Sequence, residues 1–409
     1  MDKAVLPTYV KNFGAAGDGT TDDTAAVQAA INAAGAGGRV VFSKGDYKLG
    51  PITTLAHQTL EGVTQFIGTG GSPSTRLKFA GLTGAQVGIS PGDNSTFNNL
   101  LISGPGYDVG STTGVKTATG SPRFNCGFYH WVFGVHITGA FYTVFENCEW
   151  SYNAFAVHVV NCYNVTVLAP RLNCTNAGLS AFGTRFSGGA RALNIFGGSI
   201  ENYGTGGAVS LQAMQAVNMF GIYFESSHAA AGAWGLVANA RDKVSITIQG
   251  CFIYLTNTNR FLDVAGSTNV TLVAQGNRFI CPTSSTTTPI AYVLGTTATS
   301  RDVTLAGDDW SEVLKGDYSD NVGLITAGGI PHVNIRHPRG YDASFSAKEF
   351  FGRDIVVDNA HTIRSGAGLT AVRPLATAVL KGAQWYDETL QKPIWSNGGV
   401  WKDAAGTTV

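Results

Sequence analysis

The chain has 409 residues, 27 basic and 27 acidic, with 53 glycines and only 13% charged against 44% hydrophobic residues. That much apolar content with so little charge excludes a disordered chain. Zero net charge excludes a strongly basic nucleic-acid binder and a polybasic membrane-surface protein. No stretch approaches the ~18 uninterrupted apolar residues of a membrane helix, and the opening MDKAVLPTYVKN has no apolar signal segment. The expectation is a soluble protein, not inserted in a membrane and made without a signal peptide. The six cysteines show no CxxC pair and no zinc spacing, which predicts free, buried thiols and no metal or other cofactor.

One helix is readable, over about Asp23 to Ala34, where Val27, Ala30, Ile31 and Ala34 share a face. Thr21, Asp22 or Asp23 can cap its start, and Gly35 suits a left-handed residue at its end. Beyond it come short runs of Val, Ile, Thr, Phe and Tyr broken by Gly and Asn, which read as strands. These runs repeat. The pattern apolar, any, Gly or Asn, any, any, apolar fits Phe97–Asn99–Ile102, Phe145–Asn147–Trp150, Ile195–Gly197–Ile200, Met219–Gly221–Phe224, Ile248–Gly250–Ile253, Ala274–Gly276–Phe279 and Leu305–Gly307–Trp310. Val167 to Leu172 fits except for Ala169 in third place, and from Asn147 onward the third positions are 22 to 31 residues apart. Small β-units at such a period are the mark of a solenoid. The third position suits a sharp turn with positive φ, which Gly adopts freely and Asn tolerates. The fold expected is all-β, a right-handed parallel β-helix with a short N-terminal capping helix. The segments Ser103–Asn125 and Thr283–Ser300 read as its longest loops.

If the sixth pattern position faces the core, the fifth and seventh face out. The fifth column reads Glu149, Arg171, Ser199, Tyr223, Phe252, Arg278, Asp309, and the seventh Ser151, Asn173, Glu201, Glu225, Tyr254, Ile280, Ser311. Aromatic rings stack on sugar faces and carboxylates cleave or hold sugars, so this face suits a polysaccharide. Glu201 and Glu225 fall on consecutive coils with backbones ~4.8 Å apart, a spacing compatible with the paired carboxyls of a glycosidase. They are the candidate catalytic residues, although a solvated or loop-capping glutamate is the competing reading. Glu149, Arg171, Tyr223, Phe252, Tyr254, Arg278 and His228 are candidate substrate-binding residues. His130, His136 and His158 show no spacing that suggests a metal site.

The stretch VKNFGAAGDGTTDDTAAVQAAINAA from Val10, followed by GGRVVFSKGDYKLG from Gly37, resembles the N-terminal signature of the pectate-lyase-like β-helix superfamily, in particular the branch of phage tailspikes and capsule depolymerases. The resemblance implies that the helix caps the open end of the solenoid and that Val40 to Tyr47 begins the first coil. The tail GAQWYDETLQKPIWSNGGVWKDAAG from Gly382 resembles a C-terminal element of phage tail fibres, with Trp385, Tyr386, Trp395 and Trp401 expected to bury against neighbouring chains. The division implied is a cap over 1–38, a β-helix over 39–325 and a trimerisation region over 326–409. The function implied is a homotrimeric tailspike-like virion protein that binds and hydrolyses, as an endo-acting glycoside hydrolase, a bacterial capsule or O-antigen. The cap signature begins near residue 10, so attachment to a phage tail would use the few residues before it or another protein, such as a tail adaptor or baseplate protein. A lyase acting by β-elimination and a non-catalytic receptor-binding fibre are the alternatives. Gly307–Asp308–Asp309 resembles a polygalacturonase aspartate pair, but that family's other motifs are absent. So are the calcium-binding aspartates and the arginine-proline motif of true pectate lyases.

Overall fold

A computed structural model of the chain describes residues 6–63, 75–118, 120–173, 186–201, 209–210, 215–225, 234–237, 243–254, 260–263, 269–281, 292–293, 300–306, 308–313, 332–336, 366–368, 370–372, 375–378 and 384–409. They fall into two compact units, Met1–Gly352 and Arg353–Val409.

The first unit is a parallel β-solenoid. Its α-helix, Thr24–Ala34, buries Val27, Ala30 and Ile31, the face expected from the sequence. Asp23 sits at its start but does not cap it. The carboxylate instead accepts the backbone N–H groups of Ala16 (2.5 Å) and Gly17 (2.9 Å), tying the preceding loop down, while Asp22 accepts from the Thr24 N–H at 3.0 Å. Gly35 ends the helix with φ 69° but an extended ψ of 176°, so it is not the fully left-handed residue expected. The cap region also contributes to the sheets, because Thr8–Tyr9 pairs with Val40–Val41 and Asp18 pairs with Asp46.

The strands stack into three parallel ladders. One runs through Gly45–Lys48, Thr75–Lys78, the ends of Thr96–Ser103 and Arg123–Tyr129, then Glu149–Ser151, Arg171–Asn173, Ser199–Glu201, Tyr223–Glu225, Phe252–Tyr254, Arg278–Cys281 and Asp309–Val313. A second carries Phe97, Phe124, Phe145, Val167, Ile195, Met219, Ile248 and Ala274 in one inward row. A third includes Ile52–Thr53, Val87–Ser90, Thr113–Thr117, Phe133–Thr138 and the start of Phe155–Leu168. Ser103–Asn125 is therefore not one long loop. Its Val115 is fully buried between Ile89 and Val135, and the Gly, Ser and Thr around it mislead a reading by composition.

The turn from the second ladder to the first is where the repeat pattern acts. Asn99, Asn147, Ala169, Gly197, Gly221, Gly250 and Gly276 all have φ between 48° and 63°. A Cβ at Gly197, Gly221, Gly250 or Gly276 would meet nothing within 4 Å, so conformation rather than space selects the residue.

Inside, the sixth-position residues Trp150, Leu172, Ile200, Phe224, Ile253 and Phe279 are at most 1% exposed. Phe124 stacks between Phe97 (5.3 Å) and Phe145 (4.9 Å). Each such ring contributes about 1.5–3 kcal/mol by leaving water. Cys126, Cys148, Cys162 and Cys251 are free and buried, and burial holds all four thiols above their ordinary pKa.

In the second unit, Gly366–Gly368, Gln384–Asp387, Lys392–Ser396 and Trp401–Lys402 form a four-stranded sheet. Asp387 is fully buried and accepts from the Thr370 hydroxyl and from the N–H groups of Thr389 and Leu390. Trp401 packs with Ala376 and Ile394, and Trp385 leans on them. At least part of the aromatic set expected to bury against other chains thus finds cover within its own unit.

Candidate active site

The first ladder aligns the two outer columns read from the sequence. Glu149 pairs with Arg171, Arg171 with Ser199, Ser199 with Tyr223, Tyr223 with Phe252 and Phe252 with Arg278. Glu201 and Glu225 are direct partners on adjacent rungs, both half-buried. At the far end the pairing shifts, so that Glu312 rather than Ser311 stands opposite Ile280.

Tyr223 organises the centre. Its hydroxyl donates to Glu225 Oε2 at 2.7 Å, and its ring stacks on Phe252 at 5.4 Å and 20°. Burial, this bond and the charges of Glu225 and Glu201 push the phenol up to about 12. Tyr223 therefore stays a neutral donor at any ordinary pH. The Arg278 guanidinium lies over the other ring of the stack, 5.8 Å from the Phe252 centroid. The result is a strip with two carboxylates in one column and, in the next, an aromatic pair ending in a cation. Tyr254 is half-buried beside it, opposite Glu225.

Toward the N-terminal coils the same face changes character. Arg171 is exposed, but Glu149 is only 3% exposed and Ser151 1%, contrary to the expectation that both would meet solvent. The Tyr129 hydroxyl donates to Glu149 Oε1, and Ser151 lies 3.5 Å from the same oxygen. Burial raises the Glu149 carboxyl above its ordinary range, with the Tyr129 bond and Arg171 opposing the shift. Burial and Glu149 likewise raise Tyr129. Glu149 therefore stands beneath the face rather than on it.

Asp308 does not stand on the face either. It is 2% exposed and accepts the Asn277 backbone N–H at 2.8 Å in the turn between ladders. His228 lies outside the described residues. Two features escaped the sequence reading. His130 and Tyr152, at the end of the first ladder, have φ of 60° and 56° and stack their rings at 5.2 Å and 13°. His136 and His158 stand on adjacent rungs of the third ladder, 5.0 Å apart, where burial, His158 and Lys116 push His136 down to about 4. Only a ladder register for those two strands would have paired them. No group of three or more potential metal ligands occurs among the described residues.

Chemically, two adjacent carboxylates with a fixed phenol donor can transfer a proton and attack or stabilise a cationic carbon, and the aromatic pair can hold a sugar ring.

Residues 8–138, about a third of the chain, match the family described as rhamnogalacturonase A/epimerase, pectate lyase-like. No curated protein sequence matches. Among solved structures, the surface protein and adhesin PfbA of Streptococcus pneumoniae aligns with a TM-score of 0.53 at 13% identity, covering 82% of this chain and 98% of that one. Tailspike protein 3 of bacteriophage CBA120 aligns at 14% identity over 98% of this chain and 69% of its own, with a TM-score of 0.36. The tailspike gp49 of Acinetobacter baumannii bacteriophage Fri1, a capsular polysaccharide depolymerase, aligns at 12% identity over 81% and 63%, with a TM-score of 0.41. At 13% identity the likeness to PfbA is one of fold. Over residues 8–138 the chain is pectate-lyase-like in sequence, and the fold that begins there is the parallel β-helix.

Proposed function

We propose that the chain is a tailspike-like depolymerase that hydrolyses a bacterial surface polysaccharide at Glu201 and Glu225. The observation that carries this reading is the pairing of the two glutamates on adjacent rungs, with the Tyr223 hydroxyl on Glu225 and the Tyr223–Phe252 stack alongside. Glu225, which accepts from Tyr223, acts as the carboxylate that attacks the sugar carbon. Glu201 is the acid that protonates the leaving oxygen. Backbones ~4.8 Å apart suit the ~5–5.5 Å carboxyl separation of a retaining enzyme. Tyr223, Phe252 and Tyr254 hold the sugar rings, and Arg278 closes the strip. In this reading the C-terminal unit joins three copies, and the protein works on a phage tail.

The test is incubation of the purified chain with capsules and O-antigens from a bacterial panel, following polymer size by gel filtration. Short oligomers with a new reducing end are expected. Products absorbing near ~235 nm would mark elimination and overturn the hydrolase. Polymer bound but left intact would make the chain an adhesin.

A further inference from the structure

A second group of side chains lies on the same face, toward the N-terminal coils. Arg76 stands on the first ladder two rungs before Gly127, with Leu101 between. Its Nη1 reaches Asp46 only at 3.5 Å, and its buried Nε has no hydrogen-bond partner. A buried guanidinium N–H without an acceptor is costly, and such an atom in a native structure calls for one. Gly127 leaves the rung before Glu149 without a side chain. Beside it, the partly exposed His130 stacks on Tyr152, both in a left-handed conformation that a bulky residue takes only under constraint. Burial and the Arg76 charge lower the His130 pKa, so the imidazole stays neutral at neutral pH and leaves Arg76 as the cation there.

We propose that Arg76, His130 and Tyr152 form a subsite for a carboxylated sugar residue, with the stacked rings two to three rungs (roughly 10–14 Å) and Arg76 five rungs (roughly 24 Å) from Glu201 toward the N-terminal coils. The guanidinium fork matches a carboxylate, and the stacked rings present a flat edge for the sugar. Further along, the attacking Glu225 carboxylate of the depolymerase reading already carries a negative charge, so a carboxylated sugar there would be repelled. The substrate that fits the whole face is a heteropolysaccharide, with neutral sugars at the cleaved linkage and an acidic residue a few units away. A polymer of uronic acid alone does not fit. This inference rests on the depolymerase reading for the location of the cleaved linkage.

The experiment uses the full chain and the surface polysaccharide of each panel strain, in native form and after carboxyl reduction, which converts each acidic residue to a neutral one. Initial rates and affinity electrophoresis are read for wild type, Arg76→Gln and Tyr152→Gly, the last chosen because glycine accepts the left-handed backbone. With native polymer, Arg76→Gln should raise KM roughly ten-fold at nearly constant kcat. Carboxyl reduction should do the same to wild type and leave the Arg76→Gln variant unchanged. Tyr152→Gly should weaken binding of both forms. Equal affinity for native and reduced polymer, or an Arg76→Gln variant indistinguishable from wild type, would overturn the subsite. If no polymer is cut, the depolymerase reading fails by itself, and the electrophoretic comparison of native with reduced polymer still decides the subsite. Retardation by none of the native polymers would overturn both.

Discussion

Glu149 and the pair Glu201/Glu225 belong to neighbouring columns of one ladder, three rungs or fewer apart, yet they live in opposite environments. The ladder turns Glu149 outward like the others, but Tyr129, one rung before Ser151, donates its hydroxyl to it and leaves the carboxyl 3% exposed. Glu201 and Glu225 have Asn173 and Tyr254 as column neighbours and remain half open. The repeat position decides which way a side chain leaves the backbone. The neighbours on adjacent rungs decide whether it meets a ligand.

The strongest way to break this comparison is to neutralise each carboxyl in turn. Glu201→Gln and Glu225→Gln should each lower kcat by about 10²–10⁴-fold, the usual range for loss of an acid–base group, with thermal unfolding nearly unchanged. Glu149→Gln keeps an acceptor for Tyr129 and should leave kcat within about three-fold of wild type, since the side chain is buried beneath the face. A Glu149→Gln variant as inactive as Glu201→Gln would move the chemistry to the N-terminal half of the face.

Stability against pH tests the cover on Glu149. Burial holds the Glu149 carboxyl above its ordinary value of 4.5, so across the window from that value up to its folded one the folded chain binds more protons than the unfolded chain. Stability due to this group is therefore full below the window and falls as pH rises through it. Glu149→Gln removes the fall. Urea midpoints from pH 4 to 7 should show the variant gaining on wild type as pH increases, and a constant difference would mean that the carboxyl is not held up.

Within the Glu201/Glu225 half, Tyr223→Phe keeps the stack on Phe252 and deletes only the bond to Glu225. A hydrogen bond to a charged group contributes about 1.5–3 kcal/mol, so kcat should fall roughly 10- to 100-fold with KM little changed. A rise in KM alone would make Tyr223 a sugar-holding residue and detach it from the chemistry.

Much of the architecture was legible because one turn per coil needs positive φ, and few residue types supply it. That put Asn147, Gly197, Gly221, Gly250 and Gly276 in one column, and the columns of Trp150, Glu149 and Ser151 followed by alternation. The other corner of the coil is occupied by His130 and Tyr152, residues that sequence rules do not place at positive φ. Their stacking, and the cluster around Arg76, therefore left no sign. Nor did the third ladder, whose strand Thr113–Thr117 hides among Gly, Ser and Thr. Cover on the outer face was equally unreadable, because it depends on what the adjacent rung carries, here Gly127 and Tyr129 on the rung before Glu149, and the repeat sets neither.

Ala169 isolates the legible part of this difference, with the smallest effect of all. It occupies the turn column with φ 48°, and its N–H is fixed to the Phe196 carbonyl at 2.8 Å, so the ladder holds an alanine where the other rungs have Gly or Asn. A left-handed alanine costs roughly 1–2 kcal/mol, and glycine's greater freedom in the unfolded chain returns about 0.5–1 of that. Ala169→Gly should therefore stabilise by up to about 1 kcal/mol, an exception to the rule that a new glycine weakens a folded chain. Its reciprocal, Gly197→Ala, adds a Cβ that meets nothing within 4 Å and should destabilise by a similar amount. Opposite shifts in the urea midpoint would show that the column is selected by backbone conformation alone. Loss of stability in both would mean that packing at the corner, which the added Cβ does not reach in Gly197, governs Ala169 as well.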